Sequence, residues 1–126
     1  MEITAADGTL VASGLVIRTE PQRVRLDRPT RLLRLTYVLS GVTAQSSSAA
    51  GRALAGVVSL DVGYGPESGP TTVSVSGARV LNVACEDRES ATRLSRPCGA
   101  PAGSGWEVTL PQDQRDDRVS AQVDLG

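Results

Sequence analysis

The sequence predicts an all-β protein, an antiparallel β-sandwich of roughly eight or nine short strands with one local disulfide. Short runs that alternate apolar and polar residues recur along the 126 residues, and turn-forming residues separate most of them. Phe is absent, so Val, Leu and Ala must fill the core, and β-branched Val favours strands. The chain has two cysteines, and they bracket one charged loop between two strand-like runs. The length fits one domain, residues 1–126.

Four strands are predicted in the N-terminal third of the chain, and in order they span residues 2–5, 9–18, 23–27 and 31–40. Asp7 and Gly8 tolerate positive φ and indicate a hairpin turn between the first two. The third alternates charged and apolar residues, as in a strand with one solvent-exposed face. The fourth also fits helical spacing, but Pro29 and Gly41 near its ends favour a strand, which we expect at the centre of the sheet.

Further strands are predicted in the remainder of the chain. They span residues 52–62, 71–76, 78–84, 106–110 and 118–125. Gly56 in the first of them indicates a bulge or a close backbone approach. The last has Val119, Ala121, Val123 and Leu125 on one face, which predicts a core face. Loops or turns are predicted at 43–51, 63–70 and 111–117, and only residues 84–94 could hold a short helical turn.

Cys85 and Cys98 are predicted to form a structural disulfide that holds two strand ends and the loop between them. Two free thiols are the alternative. A zinc site or an activated cysteine nucleophile is disfavoured because the sequence contains no His. Trp106 follows shortly after Cys98, and we expect it to pack in the core near the disulfide. An exposed ligand platform is its other interpretation.

These cysteines, the nearby Trp106 and the number of short strands together resemble immunoglobulin-like sandwiches in general architecture. The order here is Cys85, Cys98, Trp106, whereas immunoglobulin domains place the Trp between their cysteines. The resemblance implies two packed antiparallel sheets with a local bridge. It implies nothing about function, because this architecture serves many functions.

The composition argues against most enzymatic chemistry. His is absent, which removes the usual general base at neutral pH, and we predict no enzyme, no metal and no cofactor. An enzyme that uses carboxylates and Arg alone is the remaining alternative.

Residues 113–117 are predicted as a solvated turn rather than a calcium site, and residues 63–69 as a turn rather than a phosphate loop. All 13 basic residues are Arg, which indicates a GC-rich genome, as in many bacteria, more than selection for anion contacts.

Two groups of charged residues are candidate binding sites. The loop between the cysteines is either a solvated loop or a recognition loop, which as a protease inhibitor would present Arg88, Arg93 or Arg96 to a trypsin-like pocket. Its candidate residues are Glu86, Asp87, Arg88, Glu89, Arg93 and Arg96. The other group is either ordinary outward-facing charge on different strands or a basic face, and it comprises Arg18, Arg23, Arg25, Arg28, Arg31 and Arg34. Because the segment from Glu86 onward carries a charge of −3, the basic strands of one copy could meet the acidic segment of another.

We therefore expect a non-enzymatic extracellular or cell-envelope module that acts through protein–protein contact in adhesion, assembly or an accessory role. The alternative is an inhibitor or ligand-binding domain that uses the loop at residues 86–97. The expected partner is a protein or a second copy, because a net charge of −1 and few aromatic residues argue against nucleic acid. No apolar run approaches the ~20 residues of a membrane span.

The predicted disulfide also favours one cellular location. A disulfide needs an oxidising compartment, yet the N-terminal residues do not form a signal peptide. We therefore expect the chain to begin after a removed signal or anchor, with Met1 added. A cytosolic protein with two free thiols is the alternative.

Overall fold

A computed structural model describes residues 1–16, 18, 20–57, 69–88, 92 and 94–126, and its regular structure is almost entirely β. The described strands form three antiparallel sheets, which confirms the all-β prediction. They are β1 (Glu2–Ala5), β2 (Leu10–Ala12), β3 (Leu33–Thr36), β4 (Thr43–Gln45), β5 (Arg52–Gly56), β6 (Thr71–Val75), β7 (Arg79–Glu86), β8 (Ser95–Pro97), β9 (Ala100–Ala102), β10 (Gly105–Leu110) and β11 (Arg118–Asp124). One short 3-10 helix, Gln112–Gln114, connects β10 to β11.

Three of these strands lie in segments predicted as loops. β4 occupies the polar segment after Gly41, while β8 and β9 lie in the glycine- and proline-rich region around Cys98. Each has three residues, all of them exposed, and each lies at the edge of its sheet. Because neither face of these strands is buried, they carry no apolar alternation that could identify them in the sequence. The described strands therefore outnumber the predicted ones.

The strands separate into two compact units, Met1–Ser40 and Gly41–Gly126. The N-terminal unit is a three-stranded sheet in the order β2-β1-β3. Its hairpin turn forms as predicted: Gly8 has a φ of +82°, and the Thr9 N–H donates to Asp7 Oδ1 at 2.9 Å. Hydrogen bonds from Thr9 hold the pKa of the Asp7 carboxyl below its usual value. The expectation of one domain over residues 1–126 stays a prediction.

Two strand predictions in this unit are wrong. Residues 23–27 form no regular strand, and the predicted strand at 31–40 is reduced to β3. Among the described strands β3 pairs with β1 alone, so it is an edge strand rather than the central one. Pro21 and Pro29 flank residues 23–27 and supply no ladder N–H, and Leu26 stays exposed, so the alternation there buries neither face.

The C-terminal unit is a sandwich of two antiparallel sheets. One has the order β4-β5-β11-β7-β8, and the other has the order β6-β10-β9. β11 lies at the centre of the larger sheet, and Val119, Ala121 and Val123 are buried as predicted, whereas Leu125 is exposed. The core between the sheets consists of Ala53, Val83, Cys85, Val108, Leu110, Val119, Ala121 and Val123.

In the larger sheet, the irregularity in strand pairing occurs in β7 rather than at Gly56 of β5. β5 ends at Gly56 and pairs regularly with β11, so the bulge suggested by Gly56 is absent. Residues 58–62 of the predicted strand lie outside the described residues. Ala53 faces the core at 2% exposure, whereas Leu54 is 51% exposed on the opposite face. The bulge lies instead in β7, where Leu81 has no opposite residue in β11.

Candidate functional site

The disulfide between Cys85 and Cys98 joins β7 to the turn after β8. Its sulfur atoms are 2.09 Å apart, and Cys85 is completely buried in the core of the C-terminal unit. The Cys98 N–H donates to the carbonyl oxygen of Val83 at 3.0 Å, which extends the β7–β8 pairing as far as the disulfide. The predicted structural disulfide is therefore present, and the chain has no free thiol.

Trp106 packs beside this disulfide. It lies in β10, is partly buried against the core, and its indole Nε1–H donates to the carbonyl oxygen of Cys98 at 3.0 Å. The packing that was expected for Trp106 is thus observed. In immunoglobulin domains the bridge joins the two sheets, whereas here Cys98 lies in the turn between β8 and β9. Two packed antiparallel sheets are shared with those domains, and a closer likeness stays a prediction.

A second contact braces the same hairpin. Arg96 lies in β8 directly opposite Cys85, and its Nη2 donates to Asp117 Oδ2 at 2.6 Å and to Gln114 Oε1 at 2.7 Å. Asp117 is only 6% exposed. Both acceptors belong to the connection between β10 and β11. The disulfide therefore links the two sides of the β7–β8 hairpin, and the ion pair links this hairpin to the connection between β10 and β11.

This ion pair corrects one expectation from the sequence. Asp117 is buried and paired, so it is not part of a solvated turn, whereas Asp113 and Asp116 are exposed as expected. Arg96 contacts Asp117 at the base of the hairpin while its side chain stays 43% exposed, and its presentation to a trypsin-like pocket stays a prediction. The sequence did contain a signal for Asp117, because it is in phase with the buried residues of β11, beginning at Val119.

Three other candidate residues of the loop lie within the described part of the chain. Glu86 and Asp87 are half-buried, and Arg88 is exposed. Glu89 and Arg93 lie outside the described residues. The structure thus brings together the two cysteines and Arg96 at the base of the hairpin, and recognition by residues 86–97 stays a prediction.

Arg96→Ala is expected to lower the free energy of unfolding by about 1–3 kcal/mol, because it leaves the Asp117 carboxylate buried without its cation. Urea unfolding followed by Trp106 fluorescence measures this loss. The matched control is Arg88→Ala on the same hairpin, whose exposed side chain should leave stability within about 0.5 kcal/mol. Equal effects of the two substitutions would contradict a bracing role for Arg96.

The second candidate site is the N-terminal unit, where six arginines outnumber four exposed acids, one of which, Asp27, lies among the arginines. All six predicted arginines are exposed there, and no ion pair of the described residues involves any of them. Arg34 lies on β3, and the other five lie outside the strands. Free guanidinium groups at this density are available to carboxylates of another molecule.

The same unit exposes large apolar side chains. The exposed fraction is 92% for Val38, 65% for Val16 and 63% for Leu32. In the part of this unit that the structure describes, Ile3 is the single buried hydrophobic residue. Basic and apolar exposed residues are most closely interleaved between residues 23 and 34. We define the arginine–leucine surface as Arg23, Arg25, Leu26, Arg28, Arg31, Leu32, Leu33 and Arg34.

The outer face of the five-stranded sheet contains a shallow hollow of about 430 Å³. Amide and hydroxyl groups line it, among them Gln45, Asn82, Ser120 and Gln122, and its described lining includes no carboxylate. Across the described ranges, no three His, Cys, Asp or Glu residues are placed to hold a metal ion. No helix in those ranges has the length and hydrophobicity to span a membrane.

Fold and surfaces define the class of protein: an all-β chain with a disulfide-braced sandwich unit and a basic N-terminal sheet unit. Comparison with protein-family models, with curated proteins and with solved structures yields no match.

Proposed function

We propose that this chain is a non-enzymatic extracellular or cell-envelope module that acts through protein–protein contact, in adhesion, assembly or an accessory role. The arginine–leucine surface is the proposed contact site. The observation that carries the proposal is that exposed arginines without ion pairs alternate there with exposed leucines.

The two residue types contribute differently to such a contact. Burial of a fully exposed leucine contributes about 1.5–3 kcal/mol, so Leu32 at 63% exposure can supply much of the driving force. Arginines add specificity, because a planar guanidinium forms bidentate hydrogen bonds with a carboxylate. Arginine is also enriched in protein interfaces relative to the rest of the surface. The complementary partner is therefore an acidic polypeptide surface with some apolar area.

Nucleic acid fits this surface less well than an acidic protein does. Binding to single strands relies on aromatic side chains that stack with bases, and residues 23–34 contain none. The nearest aromatic residue in the sequence, Tyr37, is half-buried.

The disulfide supports the extracellular or cell-envelope part of the proposal. Disulfides persist in oxidising compartments and are rare in the cytosol. Cys85 is completely buried, which protects the bond from exchange with small thiols. The non-enzymatic part is supported by a sequence without His and by a hollow whose described lining offers no acid–base pair.

A binding experiment on immobilised poly-L-glutamate tests the contact site. The substitutions Arg25→Gln, Arg28→Gln and Arg31→Gln remove three charges from the arginine–leucine surface. Because an exposed ion pair contributes about 0.2–1 kcal/mol, we expect the three together to weaken binding about tenfold at low salt.

The matched control removes three exposed charges from the C-terminal unit, through Arg52→Gln, Arg88→Gln and Arg118→Gln. These arginines make no ion pair among the described residues, so the control changes net charge equally. We expect it to leave binding within about twofold, a difference below 0.5 kcal/mol. An equal loss in both variants, or tighter binding of the wild type to single-stranded DNA or anionic vesicles, would contradict the proposal.

A further inference from the structure

The charges of this chain are divided unequally along its length. Residues 1–40 contain six arginines and four acids, whereas residues 41–126 contain seven arginines and ten acids, which leaves the second part at −3. The two parts coincide with the two compact units. Each copy of the chain therefore carries both a basic and an acidic region.

Exposed acids of the C-terminal unit lie on β10 and on the connection that follows it. We define the acidic surface as Glu107, Asp113 and Asp116, all of them exposed. Glu107 lies on the outer face of the three-stranded sheet between Ser74 and Ala100, whose short side chains leave its carboxylate open to solvent. The Asp116 side chain is 69% exposed and makes a long ion pair with Arg115 of the same chain, at 4.0 Å, which another arginine would have to replace or share. These carboxylates are accessible to arginines of another molecule.

The sheet face around Glu107 can also cover exposed leucines. Its exposed residues have short side chains and lie side by side on β6, β10 and β9: Thr72, Ser74, Thr109, Ala100 and Ala102. Short side chains make this face flat, and their methyl groups provide apolar contact area. A leucine such as Leu32 can therefore be buried against it while neighbouring arginines reach the carboxylates.

We propose that the protein partner is a second copy of this chain, whose acidic surface receives the arginine–leucine surface of the first. This inference depends on the proposed function, because it names the partner of the same contact site. The two surfaces differ, so the contact is heterologous, and each copy uses one surface and presents the other to the next copy. Contacts of this kind close into a ring or continue as a filament.

Two variants separate the surfaces. The basic-surface variant carries Arg25→Gln, Arg28→Gln and Arg31→Gln, and the acidic-surface variant carries Glu107→Gln, Asp113→Asn and Asp116→Asn. All six positions are exposed, so the substitutions leave the core unchanged. Light scattering coupled to size-exclusion chromatography gives the molar mass across a concentration series, at about 50 mM and about 500 mM salt, where screening differs strongly.

We expect the mass of the wild type to rise with concentration at low salt and to return to that of a monomer at high salt. Each variant alone should stay monomeric at concentrations where the wild type assembles. An equimolar mixture of the two variants should form dimers and nothing larger, because the pair retains one intact contact. The formation of that dimer also demonstrates that both variants are folded.

A wild type that stays monomeric at low salt would overturn the inference, and so would a mixture of the variants that stays monomeric. The poly-L-glutamate experiment then separates the two proposals. If binding to poly-L-glutamate depends on Arg25, Arg28 and Arg31, the proposed function is retained and the partner is a different, acidic protein. Failure of both experiments would overturn both proposals.

Discussion

Replacing both cysteines, Cys85→Ala with Cys98→Ala, is expected to lower the free energy of unfolding of the C-terminal unit by about 3 kcal/mol. The bond joins residues 13 positions apart, and closing a loop of this length removes about that much chain entropy from the unfolded state. Cys85 is also completely buried, so the lost sulfur leaves a small cavity. Small domains have only about 5–15 kcal/mol in total, so this loss is a large share.

Urea unfolding followed by Trp106 fluorescence measures this change, because Trp106 donates a hydrogen bond to Cys98 and reports on the same corner of the fold. Wild type treated with reductant under unfolding conditions provides the control and should lose a similar free energy. If the double variant unfolds at the same urea concentration as the oxidised wild type, the disulfide does not stabilise this unit.

Buried strands of the C-terminal unit could be predicted from the sequence because each buries one face. β11 alternates buried Val119, Ala121 and Val123 with more exposed residues, and that alternation is readable without a structure. β5 begins at residue 52, as the sequence predicts, but its buried face could not be read from the sequence. Its larger side chain, Leu54, faces solvent. The smaller side chain of Ala53, which lies beside Val123 of the neighbouring strand β11, faces the core. Side-chain size alone therefore does not identify the buried face of a strand.

The parts that could not be predicted depend on contacts between distant residues. The disulfide is an exception: it joins distant residues, but it was predictable because the chain has only two cysteines. The ion pair of Arg96 with Asp117 joins residues 21 positions apart and required the β7–β8 register to be known. The strand predicted at residues 23–27 has the correct alternation but no described neighbour to pair with, and alternation without a partner strand does not form a sheet.

Gly99→Ala is expected to destabilise this corner of the sandwich by about 2–5 kcal/mol, through backbone strain and overpacking together. Gly99 follows Cys98 and has a φ of +70°, where any residue with a Cβ loses about 1–2 kcal/mol. A Cβ there would also collide with the carbonyl oxygen of Glu107 and lie 2.7 Å from Cγ2 of Val108. Since Val108 is 2% exposed and cannot move aside, overpacking adds about 1–3 kcal/mol.

Gly103→Ala is the matched control, because it separates backbone strain from the close approach. Gly103 also has a positive φ, +57°, but a Cβ there would meet no atom within 4 Å. We therefore expect this control to lose only the backbone term, about 1–2 kcal/mol, in the same urea unfolding measured by Trp106 fluorescence. The difference between the two variants measures how closely the turn after the disulfide approaches β10. Equal stabilities would mean that residue 99 does not lie against Glu107 and Val108, and the position of Cys98 beside Trp106 would then need revision.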